Sequence, residues 1–266
     1  MKFSKRVLLS VLAGLISPVS VFATVMFTEP SQIQIRPNQV FEVSIFLNTD
    51  GEDINAIEGK IVYPADVVTL KEIRDGNSII NFWVERPEVS SSLVRFAGII
   101  PGGYRYPRGL VFSLVFESKG EGSGPISIEE VRTLRNDGEG TNVPATVTFT
   151  SVNVSSSAEP TPEVAPIRDG EPPEVFSPVL SQDPEIFEGK WFLSFATQDK
   201  GSGIDHYEIR ESYFWGKGRW VIGQSPFELK SQDPTRPSFV KAVDRAGNER
   251  VVRVEPIQPR NEIYDL

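Results

Sequence analysis

Aromatic and arginine side chains crowd into two short stretches, and that crowding is the strongest chemical signal in the chain. Phe82-Trp83 stands beside Arg86 and Pro87, and Tyr104-Arg105-Tyr106-Pro107-Arg108 follows the Gly102-Gly103 pair. Aromatic rings give rigid contact area and guanidinium groups give directed donors, a combination enriched at binding hot spots. The same rings stack on the apolar faces of sugars. Trp83, Arg86, Tyr104, Arg105 and Tyr106 are therefore candidate ligand contacts. The competing expectation is that Trp83 and Tyr104 close the open ends of a β-sandwich, as large aromatics commonly do in cores.

Catalytic chemistry has little to work with. His206 is the only histidine and there is no cysteine, so neither a thiol nucleophile nor a histidine-rich zinc site can be assembled. Glu129 and Glu130 are adjacent, and adjacent residues of a strand point to opposite faces. Asp50 and Asp53 fall in a turn sequence, where aspartate is expected for backbone reasons. The expectation is a non-catalytic protein without a cofactor. Calcium is the one ion worth considering, because carboxylate and amide oxygens suit it. Asn48, Asp50, Asp53 and Asn55 form one cluster, and Asp199, Asp205 and Asp244 form another if their two turns meet at one end of a domain. The first lacks the spacing and closing glutamate of an EF-hand loop, so turn chemistry is the simpler account.

The 266 residues include 27 basic and 36 acidic ones, a net charge of −9. Lys2, Lys5 and Arg6 precede an apolar run and then Val21-Phe22-Ala23, the pattern of a secretory leader over residues 1–23. Its removal leaves 24 basic against 36 acidic residues, a net charge of −12. Such a balance argues against nucleic acid and against an electrostatic hold on anionic lipid. Beyond the leader no apolar run is long enough to span a bilayer, so no spanning segment is expected in the mature chain. The expected setting is secreted, extracellular or in the cell envelope. Without cysteine no disulfide can form there, and stability must come from apolar cores. The last residues, NEIYDL, carry no hydrophobic anchor.

The elements that must hold these side chains are strands. Phe41, Val43, Ile45 and Leu47 alternate with Glu42, Ser44 and Phe46, a period of two. Ile57, Gly59, Ile61 and Tyr63 repeat it, as do Leu110, Phe112, Leu114 and Phe116, and a further strand is expected over 145–154. Only IEEVRTL at 128–134 could pass for a helical turn, against strongly β surroundings. The Asp-Gly pairs of NTDGEDIN (48–55) and NDGEG (136–140) are hairpin signals. Residues 155–175, rich in Pro, Ser and acidic residues, predict an extended, semi-rigid linker. Short strands resume at 191–197, 207–210, 220–222, 227–229, 239–243 and 251–254. The expected organisation is one β domain over 24–154, the linker, a second over 176–258 and a tail at 259–266.

The block INAIEGKIVYPADVVTLKEIRDGNSIINFWVERPEVSSSLVRFAGIIPGGY at 54–104 resembles the middle of a cohesin domain. The strand GLVFSLVF at 109–116 and the Gly-rich stretch after it continue the resemblance, which covers roughly half the chain. The segments DKGSGID (199–205) and VDRAGN (243–248) resemble the turns of bacterial immunoglobulin-like or fibronectin type III-like domains. Together these imply an all-β protein: a jelly-roll-like antiparallel β-sandwich followed by a smaller immunoglobulin-like β-sandwich acting as spacer. The first resemblance also implies a monomeric, non-catalytic adaptor that docks a dockerin-type protein, a calcium-binding helical module. Polysaccharide binding, to which the cohesin fold is related through carbohydrate-binding modules, and a structural envelope role are the alternatives.

Overall fold

Twenty strands and no helix make up the described residues of the computed structural model, which are 23–90, 92–159, 164–213 and 216–257. The expected leader up to residue 22 and the expected tail lie outside them. The first core is built from β1 (Thr24–Glu29), β2 (Gln32–Ile35), β3 (Val40–Asn48), β4 (Ile54–Val62), β5 (Val68–Arg74) and β6 (Phe82–Ser90). It continues with β7 (Leu93–Tyr104), β8 (Gly109–Ser118), β9 (Gly122–Arg135), β10 (Asn142–Val143), β11 (Ala145–Val147) and β12 (Thr150–Val154). Two sheets pack face to face in a jelly-roll-like sandwich, one ordered β11-β1-β3-β8-β5 and the other β2-β12-β9-β4-β7-β6, with β10 beside β9.

The alternating pattern decides which side chains fill the space between them. Phe41, Val43, Ile45 and Leu47 are buried while Glu42, Ser44 and Phe46 face outward. Phe112 lies fully buried at the centre, edge-on to Phe96 at 5.1 Å and to Trp83 at 6.2 Å between ring centroids. Gly59 makes room for that cluster, because a Cβ there would stand 2.9 Å from the Phe96 ring. Residues 128–134, the one stretch that could have passed for a helical turn, are strand within β9, in keeping with their β surroundings.

Two expectations change. Asp50 and Gly51 adopt the positive φ of a tight turn, but β3 and β4 belong to opposite sheets. The 48–55 segment is therefore a crossover between layers, whereas 136–140 joins the antiparallel pair β9 and β10 as expected. Residues 145–154 form two strands instead of one. β11 runs parallel to β1 in one sheet, and after Thr148-Phe149 the chain passes to the other, where β12 runs parallel to β2. The start of the domain makes the same change of sheet between β1 and β2, so its first and last segments clasp each other in both layers.

A second, smaller core holds Leu193, Phe195, Ile209, Val240 and Ala242, with Phe176 from the end of the linker. Its strands are β13 (Val179–Asp183), β14 (Ile186–Ser194), β15 (Ile204–Tyr213), β16 (Gly216–Lys217), β17 (Val221–Gly223), β18 (Phe227–Glu228), β19 (Ser238–Asp244) and β20 (Glu249–Val254). They form the sheets β13-β14-β18 and β16-β15-β19-β20, with β17 also on β15. The described linker residues contain no strand but are tied to both cores. Arg74 donates to the Ala165 carbonyl and Arg36 to that of Ala158, while Ser202 donates to Asp169 and the amide of Glu174 to the Gln198 carbonyl.

Candidate functional site

The two outer faces of the first sandwich differ. On the β11-β1-β3-β8-β5 sheet, Val40, Arg74 and Val115 share a shallow pocket with linker residues Val164, Pro166 and Ile167, so the linker lies against that face. The β9-β4-β7 face carries no such cover among the described residues. Its cross-strand rows place Arg132, Glu58 and Ala97 side by side, then Glu129, Lys60 and Arg95, then Ser127, Val62 and Leu93. Lys60 lies 2.8 Å from Glu130 and 3.4 Å from Glu129, and Arg132 lies 2.8 Å from Glu58. The hydrogen bond from Lys60 holds the Glu130 carboxyl below its usual range. A bulge in β9 frees Glu130, at φ 52°, to join this set. Ion pairs on the outer face of a sheet add little stability, but they write a pattern of charge onto it, which favours one partner and register over others.

The sequence-derived contact residues do not converge on one spot. Trp83 and Tyr104 are half-buried and pack against the first core. Burial pushes the Tyr104 hydroxyl above its ordinary range. Tyr106 is 64% exposed and meets Tyr104 edge-on at 5.4 Å. Arg105 pairs with Asp53 at 2.6 Å, and Asp50 takes its place in a turn closed by the Asn48 side chain.

Arg86 points to the junction of the two cores. Its guanidinium donates to the Asp75 carboxylate and to the backbone carbonyls of Ile204 and Asp205. Arg245 reaches the other Asp75 oxygen at 2.7 Å. Gln198 donates to the carbonyls of Ser78 and Ile80, at 3.1 and 3.0 Å. Backbones touch here because glycine lets them: a Cβ on Gly76 would fall 2.1 Å from the Gly201 carbonyl oxygen, and one on Gly203 would fall 2.2 Å from Asp75 Oδ1. Sequence reasoning missed Asp75 and Arg245, although the glycines in DGNS and DKGSGID marked places of close approach.

Beside this junction Asp169, Asp199 and Asp244 bring carboxylate oxygens within 4.8 Å of one another. The turns carrying Asp199 and Asp244 lie together, the condition on which that cluster depended, while Asp205 is exposed and turns to His206 at 2.6 Å. Its place is taken by Asp169 from the linker. Oxygen donors so grouped suit a hard cation such as calcium. Burial, with repulsion from Asp169 and Asp244, pushes the Asp199 carboxyl above its ordinary range. The Asp169 carboxyl is lowered, chiefly by the Ser202 hydroxyl.

Between the cores opens a cleft of about 1010 Å³, walled on one side by β6 and on the other by residues 195–207 and 222–225. It includes His206, whose second ring nitrogen lies 3.8 Å from Glu208.

No family model matches the chain, and none of the curated proteins does. Among solved structures it is similar to a non-cellulosomal cohesin from the hyperthermophilic archaeon Archaeoglobus fulgidus, at 15% identity and a TM-score of 0.42 over 50% of this chain and 92% of that one. It is similar also to CaCohA2 from Clostridium acetobutylicum, at 13% identity and a TM-score of 0.39 over 51% and 93%. A third is the third ScaB cohesin of R. flavefaciens in complex with a group 1 dockerin, at 11% identity and a TM-score of 0.41 over 52% and 99%.

Proposed function

We propose that this chain is a secreted or envelope adaptor, without catalytic activity, whose first domain docks a dockerin-type protein on the outer face of β9-β4-β7. The single observation that carries this reading is the contrast between the two faces. One has the linker laid against it, and the other, without such cover among the described residues, is patterned with Lys60, Glu129, Glu130, Arg132 and Glu58. The cohesin-like sequence over the same domain agrees with it. The second domain serves as a spacer fixed to the first; His206, the one histidine of the sequence, meets Asp205 and Glu208, and the sequence holds no cysteine to act as a thiol nucleophile.

The test is capture by the immobilised full chain from the organism's own envelope and secreted extract, with and without chelator, read by mass spectrometry. A dockerin-bearing protein is expected, lost with chelator because its calcium sits on the partner. It is expected to be lost also from the Lys60→Ala, Arg132→Ala double variant. Absence of such a protein, or capture indifferent to that variant, would overturn the reading.

A further inference from the structure

We infer that the cleft between the two cores binds an extended, basic peptide segment, which adds as a strand to the free edge of β6. This is a site distinct from the β9-β4-β7 face. Among the described residues β6 is the last strand of its sheet and pairs only with β7, and β17 pairs only with β15. Both line the same cleft. A strand edge presents unpaired amides and carbonyls, ready to bond to another extended chain. The cleft's volume of about 1010 Å³ leaves room for such a segment.

The charges select its chemistry. The cations along the cleft are already engaged: Arg86 with Asp75, Arg95 with Glu130 at 3.7 Å, and Lys200 with Glu174 at 2.8 Å. Glu85 and Glu88, both exposed on β6, make no ion pair among the described residues. The register sets them opposite Ala97 and Arg95. Asp205, across the cleft, adds a third carboxylate, one that also meets His206 at 2.6 Å. Apolar contact is offered by Val84, Val89 and Ile222, which are 64%, 56% and 73% exposed. A segment alternating basic and apolar residues satisfies both needs.

A second copy of this chain does not, because its own β6 edge would bring like charge against like. Pro87 withholds a donor from the edge, and two register shifts break β6 on either side of Glu85. Such devices discourage long edge-to-edge pairing between copies while leaving amides on both sides of Pro87 for a short peptide.

The purified full chain is titrated against a fluorescent peptide of roughly eight alternating Lys and Val residues, a usual strand length. Two comparison peptides are used, one with Glu in place of Lys and one with the same charge but alternate amides N-methylated. The unmodified basic peptide is expected to bind, the other two not, and β6 amides to gain hydrogen-exchange protection. The Glu85→Lys, Glu88→Lys variant is expected to lose roughly tenfold in affinity. Arg132→Ala, whose partner Glu58 does not line the cleft, leaves the affinity unchanged, so failure of this site and failure of the docking face are told apart. Equal binding of the N-methylated peptide, an affinity unmoved by charge reversal, or displacement by a neutral oligosaccharide or by a second copy would each overturn the proposal. Both glutamates are exposed, so the reversed variant is expected to keep the native circular dichroism; absence of β6 protection in the native chain would overturn the inference independently of any variant.

Discussion

Arg245 and Asp75, 170 residues apart, meet at 2.7 Å across the junction of the two domains. The Asp75 side chain is only 3% exposed and also receives Arg86 at 2.8 Å, so one buried carboxylate is shared by a cation from each domain. Breaking a buried pair leaves the surviving charges without a partner. Asp75→Ala is expected to reduce stability by about 1–2 kcal/mol, below the usual figure because both guanidiniums are partly hydrated. It is also expected to increase the radius of gyration in solution scattering. A scattering curve identical to that of the native chain would contradict the role given to this pair.

Gly76→Ala tests the same junction sterically. The added methyl would stand 2.1 Å from the Gly201 carbonyl oxygen, so the domains must separate or the loop must shift. The expected result is faster proteolysis of the linker with both cores still folded. Gly120→Ala, which meets nothing within 4 Å, is the control expected to change nothing.

The carboxylate cluster predicts a pH dependence. Burial raises the Asp199 carboxyl above 3.8, its ordinary value, helped by Asp169 and Asp244. The folded chain therefore holds that proton more tightly than the unfolded chain does. The resulting penalty develops as pH rises through the raised range, is complete above it, and disappears in acid. In chelator, Asp199→Asn is expected to raise Tm at pH 7 by roughly 2–4 °C and to give no gain at pH 3. Calorimetry at the two pH values decides it, and a lower Tm at pH 7 would refute the repulsion argument. A calcium-dependent rise in Tm shown by the native chain and absent from the variant would assign the cluster to an ion.

Phe112→Ala empties the space shared with Phe96 and Trp83. Removing a fully buried aromatic costs about 3–5 kcal/mol, so the first domain is expected to unfold at a markedly lower denaturant concentration. A midpoint shift worth less than about 1 kcal/mol would mean that the cavity collapses, contrary to the close packing seen there.

The alternation from Phe41 to Leu47 made one face of β3 legible in advance, because a period of two is a local property of the chain. Which sheet each strand joins is not local. The turn signal at Asp50-Gly51 was real, yet it joins opposite layers, and nothing in eight residues distinguishes a hairpin from a crossover. Arg86 illustrates the same limit at the site: arginine beside aromatics reads as a contact surface, but Asp75 and the backbone carbonyls of Ile204 and Asp205 claim it from elsewhere. Asp169 went unnoticed because the Pro-rich segment was expected to be an extended, semi-rigid spacer with no part in either domain's turns, whereas Ser202 and Asn248 fasten it down.

The two clasps at the domain's ends have a mechanical meaning if the chain carries load, as the adaptor role proposed above would require. β1 runs parallel to β11 over three register pairs, and β2 parallel to β12 over four. A pull that draws the first and last strands apart along their lengths loads these ladders in shear, so the hydrogen bonds of each must yield together instead of opening one after another. Tension applied through the chain would thus meet its greatest resistance where the domain begins and ends.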